Sequence, residues 1–207
     1  VRNDEGAVLR EVDRDWFPLS VLRVTVVAMV YQSTGYASFV YDSFLKHRGT
    51  EDFIFVANDA TDRVKKYLKD KQIPHLIFTN PDPAEYYLNR VYRAWNYGGM
   101  NAPGDVIVFV NSDMAFSENW IKNLLKNLSS KRIITSRLVE SGKMPSGEYG
   151  ISKNFGQNYK EYRAEEFEAY AESIKKPELR PGGLFMPCLI YKDLFIKSGG
   201  YPIGNRK

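Results

Sequence analysis

The 207-residue chain has one cysteine, Cys188, and two histidines, His47 and His75. One thiol builds neither a disulfide framework nor a cysteine zinc site, and two distant histidines leave little for histidine-rich metal chemistry. The glycine signatures of phosphate binding are also missing. There is no G-x-x-x-x-G-K-[ST] loop and no G-x-G-x-x-G after the first apolar run, which argues against P-loop kinases and nicotinamide-binding enzymes. Absence of a G-x-S-x-G elbow argues against an α/β-hydrolase. No run reaches the roughly 18 apolar residues of a membrane span. The longest, VLRVTVVAMVY at 21–31, carries Arg23, follows an acidic segment and precedes no small-residue cleavage site, so it is not read as a signal peptide. These absences point to a soluble protein of a reducing compartment, the cytoplasm. Nor is charge of one sign concentrated. Net charge is +4, and the densest basic run, KKYLKDK at 65–71, reads as a solvated helix face, so nucleic acid is not an expected partner.

What is present is the composition of a globular protein, 43% hydrophobic and 26% charged, with aromatics at 14%. Short apolar runs alternate with amphipathic stretches. Strands are expected at 22–31, 52–58, 73–79, 104–114 and 132–140, and helices at 36–47, 63–71, 83–99 and 117–128. Thr61 or Asp62 is available to cap the second helix. The third is read as entering at Pro83 and stopping at the glycine pair Gly98-Gly99, and Ser117 is the expected cap of the fourth. After residue 140 the rhythm changes. A loop leads to a charged, aromatic helix at 158–176, then a strand at 183–191 holding a buried Cys188, and a short helix KDLFIKS. Repeated β-then-α units imply an α/β fold with a mostly parallel central sheet and helices on both faces. No linker divides the chain, which reads as one domain over 1–207 with an N-terminal extension at 1–20 and a variable region at 141–182.

In such sheets ligands bind beyond the carboxyl ends of the strands, where strand order reverses. The positions to inspect are Tyr31 and Gln32, Asn58 and Asp59, Thr79 and Asn80, and Asn111 to Met114. Among them Asn111-Ser112-Asp113 follows the apolar strand VIVFV directly. A carboxylate there projects into the crevice from a rigid strand. Mg²⁺ or Mn²⁺ on a diphosphate is commonly held by one or two protein oxygens, the rest coming from phosphate and water. A turn and helix cap would use the same three residues, so the motif alone does not decide.

The order of motifs resembles glycosyltransferases of the GT-A (Rossmann-like) fold, most closely the inverting family 2. Asn111-Ser112-Asp113 with Trp120 stands where that family has D-x-D or N-x-D and a following tryptophan. Asn96-Tyr97-Gly98 and Ala102-Pro103-Gly104-Asp105 stand before the strand, and Gly199-Gly200-Tyr201 stands in place of the late G-G-[FY]. Ala57-Asn58-Asp59-Ala60-Thr61-Asp62 matches the family's D-[DN]-G-S-x-D in part. The resemblance implies transfer of a sugar from a nucleoside-diphosphate sugar to an acceptor hydroxyl on a glycan, lipid or protein, with metal assistance and inversion. It places Val30 and Tyr31 beside the base, Asn58 on the base edge and Arg90 toward the diphosphate. Asn111 then lies at the sugar or ribose, or reaches the metal through water, with Ser112 beside it in the cofactor-binding set and Asp113 on Mn²⁺ or Mg²⁺. Ala57, at the first acidic position of its motif, leaves the nucleotide open.

The family's catalytic base usually follows G-G-[FY], and no acid follows Tyr201 here. Asp193 is a weak substitute, and Glu140 and Glu148 are further carboxylates without an assigned role. A second reading is therefore a non-catalytic GT-A-like module of a longer chain, binding a sugar nucleotide or a partner. A nucleotidyltransferase would want an arginine in the loop QSTGYAS, which has none.

Overall fold

The computed structural model describes residues 22–142, 149–182 and 186–204. The extension at 1–20, Glu148 and the first positions of the strand expected at 183–191 lie outside the described residues. The elements run β1 (Val24–Val30), α1 (Thr34–His47), β2 (Asp52–Asn58), α2 (Asp62–Asp70), β3 (His75–Phe78), α3 (Tyr87–Asn101), β4 (Val106–Val110), α4 (Trp120–Leu125), β5 (Ile134–Thr135), β6 (Val139–Glu140), β7 (Ile151–Ser152), α5 (Ala164–Ser173), β8 (Cys188–Tyr191) and α6 (Lys192–Lys197).

The sheet order is β3-β2-β1-β4-β8-β5, with β1 to β4 parallel and β8 antiparallel to both β4 and β5. β6 and β7 form a separate ribbon. The central strands read as unbroken apolar runs because both of their faces are covered. Val26, Ala28 and Val30 point into one cluster with Val40, Phe44, Val64 and Leu68 of α1 and α2 and Trp120, Ile121 and Leu124 of α4. Val27, Ile107 and Phe109 point the other way, against Ala94 and Trp95 of α3 and Phe195 of α6. Strand order reverses between β1 and β4, so the crevice expected of this topology opens beyond their carboxyl ends.

Two caps follow the sequence chemistry. Ser33 Oγ accepts the Tyr36 amide at 3.2 Å to start α1, and Thr61 caps α2. Other expectations do not hold. α3 begins at Tyr87 behind Tyr86 rather than at Pro83, and the helix expected at 158–176 is confined to α5, Ala164–Ser173. α3 runs through Gly98 and Gly99 to Asn101; a Cβ at Gly98 would lie 2.5 Å from Val56 Cγ2 and 2.8 Å from Val27 Cγ1, so the glycine admits the sheet rather than ending the helix. α4 begins at Trp120 behind a left-handed Asn119 with no side-chain cap, three residues after Ser117. The expected strand at 132–140 divides into β5, on the main sheet, and β6, on the ribbon. No helix among the described residues is long and apolar enough to cross a membrane.

Candidate functional site

Residues at the ends of β2 and β3 meet Arg90 of α3 in one polar cluster. Asn58 ends β2, and Asp59 follows it with φ +46°, a left-handed conformation that aspartate tolerates better than most residues. From there Asp59 Oδ1 accepts the Asn80 amide at 2.9 Å, and Oδ2 accepts Asn80 Nδ2 and Arg90 Nη2, each at 2.6 Å. Asn80 Nδ2 also donates to Asn58 Oδ1 at 2.7 Å. Burial raises the Asp59 carboxyl, but the bonds from Arg90 and Asn80 and the Arg90 charge outweigh it and hold it below its ordinary value. Arg90 is pushed up mainly by the same bond. Tyr31, at the end of β1, is 53% exposed, so its ring is available to a planar ligand.

Beyond β4 the chain enters Asn111-Ser112-Asp113. Asn111 and Asp113 are exposed, and both line a cavity of about 320 Å³. Behind them Phe116 and Trp120 stack at 4.0 Å, and the Phe116 amide donates to Ser43 Oγ at 2.8 Å, which fixes the loop to α1. The strand β6 forms the facing side and contributes Glu140. Burial, and then the negative charge of Asp113, hold the Glu140 carboxyl above its ordinary value. The remaining wall comes from residues 153–167, docked on α1 through the ring pairs Tyr36–Tyr159 and Phe39–Tyr162. Oxygen donors from a carboxylate, an amide and a hydroxyl suit a hard divalent cation. Among the described residues no three histidine, cysteine or acidic side chains converge, so such an ion would draw its other ligands from diphosphate and water.

The sequence profile of glycosyl transferase family 2 matches residues 25–194. The chain belongs to that family. No curated protein sequence matches it. Among solved structures, S. aureus TarS 1-349 in complex with UDP superposes with a TM-score of 0.53 at 14% identity, covering 86% of this chain and 49% of that one. The same protein without UDP gives 0.51 at 13% identity, with the same coverage. The mannosyltransferase PcManGT from Pyrobaculum calidifontis, in complex with GDP-Man and Mn²⁺, gives 0.41 at 16% identity over 51% of this chain and 32% of that one. The family 2 chain thus spans between a third and a half of the length of these structures, and its fold is GT-A.

Within this family 2 chain the expected site residues separate. Tyr31, Asn58, Arg90, Asn111, Ser112 and Asp113 all stand at the carboxyl end of the sheet. Val30 is 2% exposed with its side chain in the core, so it can offer a ligand only backbone. Ala57 is wholly buried in the same core, so a carboxylate there would not reach the crevice; the polar pair is Asn58-Asp59, one position later. Asp59 and Asn80 were identifiable only by lying after strands; the signal that would have found them is that Ala57 belongs to the core pattern. Arg90 is anchored to Asp59, on the β2–β3 side. Asp193 is on the wrong end of the sheet: β8 runs antiparallel, Tyr191 pairs with Val106 at the start of β4, and the Lys192 amide bonds Asp105. The motif residues Asn96 and Tyr201 hold each other, Asn96 Nδ2 donating to the Tyr201 carbonyl at 3.0 Å and the Tyr201 amide to Asn96 Oδ1 at 2.8 Å. They clamp α3 to the turn after α6.

Proposed function

We propose that this chain is the donor-binding region of a metal-dependent glycosyltransferase. It takes a nucleoside-diphosphate sugar beyond the carboxyl ends of β1 to β4 and passes the sugar, with inversion, to a hydroxyl of a glycan, lipid or protein acceptor. The observation that carries the reading is the pairing of two features across the strand-order reversal. One is the Asn58-Asp59-Asn80-Arg90 cluster with an exposed Tyr31. The other is Asp113 at the mouth of a cavity, its carboxylate without a hydrogen-bond or ion-pair partner among the described residues.

In this reading the Tyr31 ring stacks on the base, and Asn58, oriented by Asn80, meets the base edge. Arg90, fixed by Asp59, adds positive charge on that side. Asp113, with Asn111 and Ser112 near it, would hold Mn²⁺ or Mg²⁺; the ion, when bound, would neutralise charge on the diphosphate. The cavity beside Asp113 then receives the sugar and the acceptor, and their mutual placement contributes much of the acceleration.

The test is calorimetry with UDP and GDP, each with Mn²⁺, Mg²⁺ or chelator. One of the two is expected to bind in a cation-dependent manner, and Asp113→Ala is expected to remove that dependence with a loss of about tenfold or more in affinity, on the order of 1.4 kcal/mol. Cation-dependent binding that survives Asp113→Ala unchanged would falsify the metal assignment. Release of nucleoside diphosphate from a panel of UDP- and GDP-sugars separates a transferase from a module that only binds.

A further inference from the structure

The charged side chains that line the cavity are two acids, Asp113 and Glu140, and two cations, Arg137 and Lys153. The cations come from the two ends of the ribbon, Arg137 just before β6 and Lys153 just after β7. Both are exposed, and neither makes an ion pair among the described residues. Both are nevertheless held in place. Arg137 Nε donates to the Tyr149 carbonyl at 3.2 Å, which leaves the donors of its two Nη groups. Lys153 Nζ sits 3.8 Å from the centre of the Tyr170 ring and 5.6 Å from that of Phe155. Glu178 feels the Arg137 charge, but its lowered carboxyl is owed first to its bond with Arg180, at 3.0 Å. Nor does Glu140 answer the cations: burial and Asp113 hold its carboxyl up, and neither cation offsets them. A concave wall with two cations and no counter-ion concentrates positive potential there. A carbonyl and two ring faces already order these side chains, so an anion that binds them loses less to their ordering. A neutral molecule would cover the two charges without pairing them, which is costly. The forked guanidinium instead matches the paired oxygens of a carboxylate or phosphate.

We propose that Arg137 and Lys153 select an anionic acceptor, a molecule that carries a carboxylate or phosphate besides the hydroxyl that receives the sugar. The proposal rests on the transferase reading above, in which this cavity receives the acceptor, and it narrows the acceptor's class. The Arg137 Nη groups donate to the oxygens of the anionic group. The Lys153 ammonium, still lying over the Tyr170 ring, adds a second positive charge. The anionic group is then the handle that places the acceptor, and the reacting hydroxyl is a separate group. Arg137 and Lys153 set which acceptor enters and take no part in bond making.

The test uses probes that differ in charge. Glucose is compared with glucuronate and with glucose phosphorylated on its primary hydroxyl, and glycerol with glycerol phosphorylated on a terminal hydroxyl. Each is titrated by calorimetry into the native chain in the presence of Mn²⁺ and whichever of UDP and GDP it binds. At least one anionic probe is expected to bind about tenfold or more tightly than its neutral counterpart. Glucuronate against the phosphorylated glucose tells carboxylate from phosphate. In the double variant Arg137→Gln, Lys153→Gln the preference is expected to fall to within about twofold, while Mn²⁺-dependent nucleotide affinity stays within about twofold of native and shows that the variant is folded. Equal binding of charged and neutral probes, absence of binding included, overturns the proposal, and so does a preference that survives in the double variant. A matching loss of nucleotide affinity overturns it too, because the cations would then serve the donor diphosphate. The transferase reading fails on a different measurement. A native chain that releases nucleoside diphosphate from no sugar nucleotide in the panel overturns that reading, and the acceptor assignment with it.

Discussion

The carboxyl of Asp59 stays ionised because Arg90 and Asn80 together outweigh its burial. Its folded form therefore takes up a proton less readily than its unfolded form. The resulting stability is complete above the ordinary value of 3.8 and is lost as pH falls through the depressed folded value. Asp59→Asn is expected to lower stability at neutral pH by about 1.5–3 kcal/mol, the range for a hydrogen bond to a charged partner. The gap between native and variant should close as the medium is acidified below 3.8. Melting temperature followed by circular dichroism against pH measures both. A gap that instead widens in acid contradicts the account. Because Arg90 and Asp59 touch, Arg90→Ala combined with Asp59→Asn should cost less than the sum of the two. Asn58, Arg90 and Asp113 are legible as positions at the carboxyl end of the sheet because strand ends and motif order mark them. Asp59 is not marked by motif in this way, because the family pattern sets Ala57 at its first acidic position and only packing shows that Ala57 belongs to the core.

For the elements, the informative residue is Gly98. α3 lies so close to the sheet that any side chain at Gly98 meets Val56 and Val27, both fully buried and β-branched, with little freedom to move. Alanine would gain about 1 kcal/mol of helix propensity, but overpacking a tight core costs about 1–3 kcal/mol. Gly98→Ala is therefore expected to be net destabilising, seen as a lower denaturation midpoint in urea; an unchanged or raised midpoint counts against the close approach. The glycine pair reads as a stop in sequence because local propensity is all that sequence displays there. The need for a smooth helix face arises only once β1 and β2 are beside it. The parallel strands β1 to β4 are legible because double burial leaves unbroken apolar runs, whereas the antiparallel setting of β8 and the division of 132–140 leave no such mark. Nor are the boundaries of α4 and α5 legible, since Asn119 and Arg163 begin them without a side-chain cap.

For the molecule as a whole, the site has two halves of different origin. The half that carries Tyr31, Asn58, Arg90 and Asp113 is built by contiguous β-α units, whose periodicity makes it legible. The facing wall is held by contacts far apart in sequence. Glu168 of α5 accepts Lys46 Nζ at 2.6 Å and meets His47 Nε2 at 3.1 Å, and the aromatic pairs to Tyr36 and Phe39 lie beside this tie. None of these has a sequence period, and α5 has no buried residue, so neither the helix's docking nor Glu140's place in the cavity was readable beforehand. Glu168→Ala is expected to speed hydrogen exchange across residues 153–173 about fivefold, the equivalent of about 1 kcal/mol, while leaving β1 to β4 unchanged. Exchange that rises equally in the central strands would mean that the tie supports the whole core instead. The antiparallel β8 has a further consequence. Residues 134–135 pair only with 188–191 among the described strands. A chain emerging from a ribosome can therefore assemble β1 to β4 and their helices early. The cavity beside Asp113 takes shape only after β8 has been synthesised and has slipped between two strands already made.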